Sequence, residues 1–180
     1  QKKNPEGRAW IVHRLDRDVS GVLAFAKNRR ACEGVVEQFR EHKPERLYVA
    51  LVEGEMRRDR GTYDGRLGTT KSLRRFVARK NQEGEPAVTH YEVKARLQNL
   101  TLVESQLEAG QRNQIRVHFA HDGHPVLGDK RYGNGDHPSW PHRRIALHAA
   151  SLAFNHPRNG KPMYFEAGLP ASMRRLIRED

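Results

Sequence analysis

The chain contains a single cysteine, Cys32, among its 180 residues, so no disulfide can form within it. Long hydrophobic runs are also missing, because the longest uninterrupted apolar stretch, 21–26, is far shorter than the ~20 residues of a membrane-spanning helix. The sequence shows no repeat with a period of about 20–50 residues. These absences exclude a disulfide-stabilised scaffold, a helical membrane protein and a repeat array. They predict one folded domain over 1–180 in a reducing compartment, for which we expect the cytoplasm.

Acidic residues are too few to balance the basic ones. Lysine and arginine together number 33 against 22 acidic residues, giving a net charge of +11, and the pI is about 10.2. A field of this sign favours an anionic partner, either a nucleic acid or an anionic membrane surface. The sequence lacks a basic amphipathic helix with a broad apolar face, which favours nucleic acid. Charge alone leaves open a soluble basic domain without such a partner.

Hydrophobic periodicity predicts more strands than helices. The expected strands are 10–12, 22–26, 47–52, 87–97, 100–107 and 145–154. The expected helices are 29–43, 113–122 and 171–178, with Asn28 and Asn113 as N-caps of the first two. A polar lead-in over 1–8, hairpins or loops over 57–80 and a loop over 133–143 complete the chain. Short connections between strands predict an α+β fold with a mixed, largely antiparallel sheet.

Three segments are rich in residues that carry chemistry: HRLDRDVSG at 13–21, GQRNQIRVH at 110–118 and GHPVLGDKRYG at 123–133. By composition alone, the first is typical of a turn, the second of a solvated basic helix and the third of a shaped loop. Asp16 in the first segment is flanked by Arg14 and Arg17, whose guanidinium groups favour an ionised carboxylate. His118, His121 and His124 are spaced by three, but glycine and proline interrupt the helix there, so we predict no metal site.

Together these segments resemble the RluA-type pseudouridine synthases. That family carries an H-R-L-D-x-x-[TS]-S-G segment, a basic-aromatic Tyr-x-Ala segment (here 46–54), a G-R-x-[HN]-Q-I-R-x-H segment and a G-H-P-[IV]-x-G-D-x-x-Y-G segment. The four matches occur in this order between 11 and 133. Val19 stands where the family has threonine, and Gln111 where it often has arginine. The family's upstream Lys-Pro-x-Gly strand and N-terminal RNA-binding appendage have no counterpart here, so we expect most, not all, of a catalytic domain.

The resemblance implies a pseudouridine-synthase fold and isomerisation of uridine within ribosomal or transfer RNA, of which it favours ribosomal RNA. It implies that Asp16 is the catalytic carboxylate, acting either as a nucleophile or by removing a sugar proton, with no cofactor. Four further residues match substrate-binding positions. Arg14 fills the gap left by the extruded base, Tyr48 packs on that base, Ile115 walls the pocket and Arg116 pairs with Asp16.

Further expectations concern partners. The basic stretch 57–80 and Arg174, Arg175 and Arg178 are expected to contact phosphates, and the protein is expected to be a monomer. Two alternatives stay open: a non-catalytic or truncated RNA-binding module on the same fold, and a basic structural protein of a ribonucleoprotein.

Overall fold

The computed structural model describes residues 7–141 and 143–178, so the first six residues of the lead-in lie outside the described residues. Three helices are described: α1 (Arg29–Arg40), α2 (Gln114–His121) and α3 (Ala171–Arg178). None of the helices in these ranges is long and apolar enough to cross a membrane. The strands are β1 (Trp10–Ile11), β2 (Ser20–Gly21), β3 (Phe25–Ala26), β4 (Glu45–Glu53), β5 (Arg60–Thr69), β6 (Arg75–Val77), β7 (Glu85–Leu97), β8 (Leu100–Leu107), β9 (Leu147–Asn155) and β10 (Pro162–Glu166).

Seven of these strands form one antiparallel path in the order β10-β9-β4-β8-β7-β5-β6. The short strand β2 adds to it by parallel pairing with β9, and β1 pairs with β3 in a separate two-stranded sheet. The predicted α+β fold with a mixed, largely antiparallel sheet is therefore confirmed.

Strand β4 lies inside the sheet, between β9 and β8, and its second half is buried on both faces. Ala50 and Val52 belong to the core under α2, whereas Val49 and Leu51 belong to the core that packs against α3. A strand covered on both faces has no polar face, which explains the nearly continuous apolar run of β4. Because successive side chains point to opposite faces, Tyr48 lies on the same face as Ala50 and is directed toward α2.

Several predicted boundaries were wrong. Of the strand expected over 22–26, only Phe25–Ala26 is extended, and Phe25 is 51% exposed. Helix α1 has the predicted cap, since Asn28 Oδ1 accepts a hydrogen bond from the Ala31 N–H (2.8 Å). It ends at Arg40, before Pro44, because His42 adopts a left-handed conformation (φ 56°). Strand β10 was not predicted, because most of its residues are exposed and show no alternation.

Strand β2 fixes the 13–21 loop onto the sheet. The Ser20 hydroxyl hydrogen-bonds to His148 Nδ1 (2.8 Å), and the Val22 N–H donates to the Ala149 carbonyl (2.9 Å). Gly21 between them has φ 121°, and a Cβ there would collide with the Ala149 backbone. Only glycine tolerates this combination of backbone angle and close approach. The loop that carries Asp16 is therefore held against β9.

Gly21→Ala is expected to destabilise the fold by about 1–3 kcal/mol from backbone strain alone, with the collision adding to that cost. Gly65→Ala is a matched control, because Gly65 has no heavy atom within 4 Å of its added Cβ and no positive φ. Urea unfolding of both variants measures the difference. Equal stability of the two variants would contradict the β2–β9 pairing described above.

Candidate active site

A cavity of about 350 Å³ lies between the 13–21 loop, the start of β4 and the start of α2. Four of the five predicted site residues line it: Arg14, Asp16, Tyr48 and Ile115. The fifth, Arg116, lies behind the wall and reaches Asp16 with its NH1 atom 3.7 Å from Oδ2. Segments distant in sequence therefore place the predicted residues in one region of the molecule.

Asp16 is the acidic residue that lines this cavity, and its side chain is only 18% exposed. Burial is the largest influence on the pKa of Asp16 and raises it above the ordinary value. Arg116, the backbone N–H of Asn113 and Arg14 each lower that pKa but do not offset burial. The flanking arginines were expected to keep this carboxylate readily ionised, and the structure reverses the net direction because desolvation disfavours the charged form.

Arg116 has a closer partner than the predicted one. Its Nε and NH2 atoms donate to both carboxylate oxygens of Asp129 at 2.6 and 2.8 Å, and Asp129 is fully buried. Asp129 Oδ1 also accepts the backbone N–H groups of Arg131 and Tyr132. Such a bidentate pair fixes the orientation of the guanidinium. Sequence reasoning assigned no role to Asp129, although it lies in the matched 123–133 segment.

Asn113 occupies the predicted N-cap position of α2, but its side chain does not cap the helix. It adopts a left-handed conformation (φ 58°) and its side chain makes no capping hydrogen bond. Instead, its Oδ1 accepts from Arg116 NH1 (2.9 Å) and its Nδ2 donates to the Tyr132 hydroxyl (3.0 Å). Asparagine tolerates this backbone region better than most residues, and here its amide is directed to the Arg116 cluster.

Tyr48 and Ile115 belong to the apolar lining of the cavity, together with residues such as Val19 and Leu147. The pairing of β4 with β9 is irregular between Leu47 and Tyr48, and such an irregularity re-aims the following side chain. Burial raises the pKa of the Tyr48 phenol, so that phenol is neutral at physiological pH. Ile115 is buried in the same core as Ala50 and Val52. Arg14, by contrast, is exposed at the mouth of the cavity.

His13 and Arg46 also line the cavity, and sequence reasoning gave them no role. His13 Nε2 accepts a hydrogen bond from the Ala24 N–H (2.9 Å), and its ring stacks on Phe39. Burial and the nearby Arg46 lower the pKa of His13 to about 4, so the ring is neutral at pH 7. The Arg46 guanidinium lies over Phe39, with its Cζ 5.7 Å from the ring centroid. The sequence could have indicated both residues, because each lies within a segment that matches the family.

The histidines of the 118–124 stretch do not converge. His118 is buried and its Nδ1 hydrogen-bonds to the Thr89 hydroxyl (2.9 Å), whereas His124 Nδ1 bonds to the Glu53 carbonyl. Burial lowers the pKa of His118 to about 4. Within 7–141 and 143–178, no group of three or more His, Cys, Asp or Glu side chains is arranged to hold a metal ion.

Solved structures share this fold. The human RNA Pseudouridylate Synthase Domain Containing 1 aligns with a TM-score of 0.78 at 24% identity, covering 91% of this chain and 70% of that one. The human RNA Pseudouridylate Synthase Domain Containing 4 aligns with a TM-score of 0.76 at 24% identity, covering 94% and 76%. The architecture is therefore that of a pseudouridylate synthase domain.

Sequence comparisons give the family. The RNA pseudouridylate synthase family model matches residues 1–121. The chain is 43% identical over 175 residues to an uncharacterized RNA pseudouridine synthase, YlyB, of Bacillus subtilis, covering 94% of this chain and 55% of that protein. It is 39% identical over 178 residues to ribosomal large subunit pseudouridine synthase D of Zymomonas mobilis, covering 95% and 56%. The chain belongs to the RNA pseudouridylate synthase family, which confirms the resemblance, and it spans about half the length of these curated relatives.

Proposed function

We propose that this chain isomerises uridine within RNA and that Asp16 is its catalytic carboxylate. The observation that carries the proposal is the position of Asp16: it is largely buried, lines a cavity beside Tyr48 and lies 3.7 Å from Arg116. We propose ribosomal RNA as the substrate, because matched relatives are named ribosomal large subunit pseudouridine synthases D and C.

The cavity suits a single extruded nucleotide. Its volume of about 350 Å³ lies in the range of small-ligand sites. An enzyme that acts on a base within RNA must take that base out of the stack, at a cost of a few kcal/mol. Tyr48 offers an aromatic face inside the cavity for the extruded base. We propose that Arg14, which is exposed and lines the cavity, fills the gap that the base leaves.

The reaction breaks the bond between uracil N1 and the sugar and forms one from C5 to the same sugar carbon. The C5 proton is released to solvent and N1 takes up a proton, so the product is an isomer of the substrate. The Asp16 carboxylate supports this either by attacking the sugar or by removing a sugar proton. Arg116 cannot readily swing away, because Asp129 holds it through two hydrogen bonds. Its positive charge therefore stays beside Asp16 and favours the ionised form. The isomerisation consumes no oxidant or group donor, so we propose that it proceeds without a cofactor.

Tritium release from RNA that carries 5-tritiated uridine tests the proposal, because the C5 hydrogen leaves only if the base is rejoined at C5. We expect release by this chain on ribosomal RNA fragments. Binding of the same RNA without release would instead identify a non-catalytic RNA-binding module, the alternative left open by the sequence.

Tyr48→Ala is expected to lower kcat/KM for tritium release by about 5- to 150-fold, since base–aromatic stacking contributes roughly 1–3 kcal/mol per base. Tyr48→Phe keeps the aromatic face and is expected to retain most of the activity. Circular dichroism checks that both variants fold. An equally large loss in Tyr48→Phe would contradict stacking as the main role of this residue.

A further inference from the structure

The tip of the β5–β6 hairpin (70–74) is attached to the active-site region by two arginines. The Nη2 atoms of Arg112 and Arg131 each donate to the Leu73 carbonyl oxygen at 2.7 Å. Leu73 adopts a left-handed conformation (φ 59°), which is strained for a leucine. Strain of this kind persists only where the surroundings hold it, and it is concentrated at functional sites. Two guanidinium groups that share one acceptor are necessarily close to each other.

A third arginine, Arg74, meets Arg131 at the ring of Tyr132. The Cζ atoms of Arg74 and Arg131 lie 5.6 and 5.9 Å from the ring centroid, and that of Arg116 lies at 5.1 Å. The Tyr132 hydroxyl accepts hydrogen bonds from Asn113 Nδ2 (3.0 Å) and from the Arg75 N–H (3.2 Å). Tyr132 is therefore fixed in place and positions the guanidinium groups around it.

The basic residues of this region divide into two kinds. Arg75, Arg116 and Lys130 are each paired with an acid: Glu85, Asp129 and Asp136, respectively. Arg74, Arg112 and Arg131 are exposed, and among the described residues none of these three has a carboxylate oxygen within 4.0 Å. We name these three the arginine cluster. They come from three separate segments, so only the folded chain brings them together.

Three positive charges held together without an acidic partner repel one another, and an anion bound among them relieves that repulsion. Guanidinium groups bind phosphate oxygens through paired hydrogen bonds, and here their positions are set before any ligand arrives. Arg112 also lines the cavity that contains Asp16. The bound anion would therefore lie at the edge of the proposed active site, where the RNA backbone enters.

We infer that Arg74, Arg112 and Arg131 bind a phosphate of the RNA strand adjacent to the nucleotide that enters the cavity. This inference rests on the proposed function for the identity of the strand. Two residues of the cluster, Arg74 and Arg131, lie at the ring of Tyr132, which Arg116 also contacts and whose hydroxyl accepts a hydrogen bond from Asn113. The residues that bind the phosphate therefore share a contact, the Tyr132 ring, with Arg116, which lies beside Asp16.

Salt dependence of RNA binding tests the cluster directly. We expect the combined variant Arg74→Gln, Arg112→Gln and Arg131→Gln to reduce the magnitude of the negative slope of log K against log salt by about 0.7, since that is the contribution of one phosphate contact on a single strand. The matched control is Arg30→Gln, Arg158→Gln and Lys161→Gln, which removes the same charge from exposed residues that do not line the cavity. Fluorescence anisotropy with a labelled ribosomal RNA fragment measures both slopes. Equal changes in the two triple variants would overturn the inference.

A second measurement takes its main readout from the wild-type protein, and that readout does not depend on the variants folding. A neutral methylphosphonate replaces one phosphate at a time along the RNA fragment. We expect one position next to the reacting uridine to weaken binding by wild-type protein several-fold, and the triple glutamine variant to be insensitive there. An equal loss of affinity at every phosphate position would overturn the inference. If the wild type binds RNA but releases no tritium, the proposed function fails, whereas a single sensitive phosphate would still support the arginine cluster.

Discussion

Asp16→Asn is expected to lower the rate of tritium release from 5-tritiated uridine RNA by at least about 10²-fold, the smaller end of what a positioned catalytic carboxylate contributes. Asparagine has nearly the same size and shape, so the cavity is preserved, but the amide is neither a nucleophile nor a base. RNA affinity should change little, because the basic residues that face the strand are untouched. Single-turnover release and anisotropy measure the two effects separately. Release within a few-fold of wild type would remove Asp16 from the mechanism.

The same substitution is expected to leave the fold as stable as wild type or more so. Burial raises the pKa of Asp16 in the folded state, so the folded protein binds the proton more tightly than the unfolded chain does. Ionising Asp16 therefore costs stability as pH rises above the unfolded pKa of about 3.9. Asparagine removes that cost, and Arg116 keeps Asp129 as its partner. At pH 8 the Tm of Asp16→Asn should be higher than that of the wild type, and the difference should shrink toward pH 4. A variant that melts below wild type at pH 8 would show that the Asp16 charge stabilises the fold.

Arg116→Met is expected to have the largest effect on stability. It leaves Asp129 fully buried with an uncompensated charge, and breaking a buried pair in this way costs about 3–5 kcal/mol. For a domain of this size, that corresponds to a fall in Tm of about 6–20 °C. Activity should fall as well, since Asp16 loses the cation beside it. Differential scanning calorimetry and tritium release measure the two losses.

The double variant Arg116→Met with Asp129→Asn separates the role of Arg116 in stability from its role in activity. Asparagine Oδ1 can still accept the backbone N–H groups of Arg131 and Tyr132, while the buried negative charge is gone. We expect this variant to recover a substantial part of the lost stability but none of the lost activity. If stability stays as low as in Arg116→Met alone, the charge on Asp129 is not the source of the loss.

Much of the fold could be predicted because its determinants are local. The alternation over 87–97 and the apolar run of β4 depend on which faces of a strand are covered, and Asn28 caps α1 through a residue three positions away. Where a local pattern was absent, prediction failed. Strand β10 is mostly exposed, and the end of α1 depends on the left-handed turn at His42 instead of on Pro44.

The sequence by itself determined the family, the fold class and the carboxylate proposed for catalysis, because these are encoded in contiguous segments that can be matched residue by residue. Only the tertiary structure decided which acid holds Arg116 and in which direction the pKa of Asp16 moves. It also decided that Arg131 meets Arg74 at the Tyr132 ring and Arg112 at the Leu73 carbonyl oxygen. The physical reason is that ion pairing and desolvation depend on distances of a few ångströms between residues remote in the chain. A linear pattern does not contain those distances until the sheet and its loops have packed.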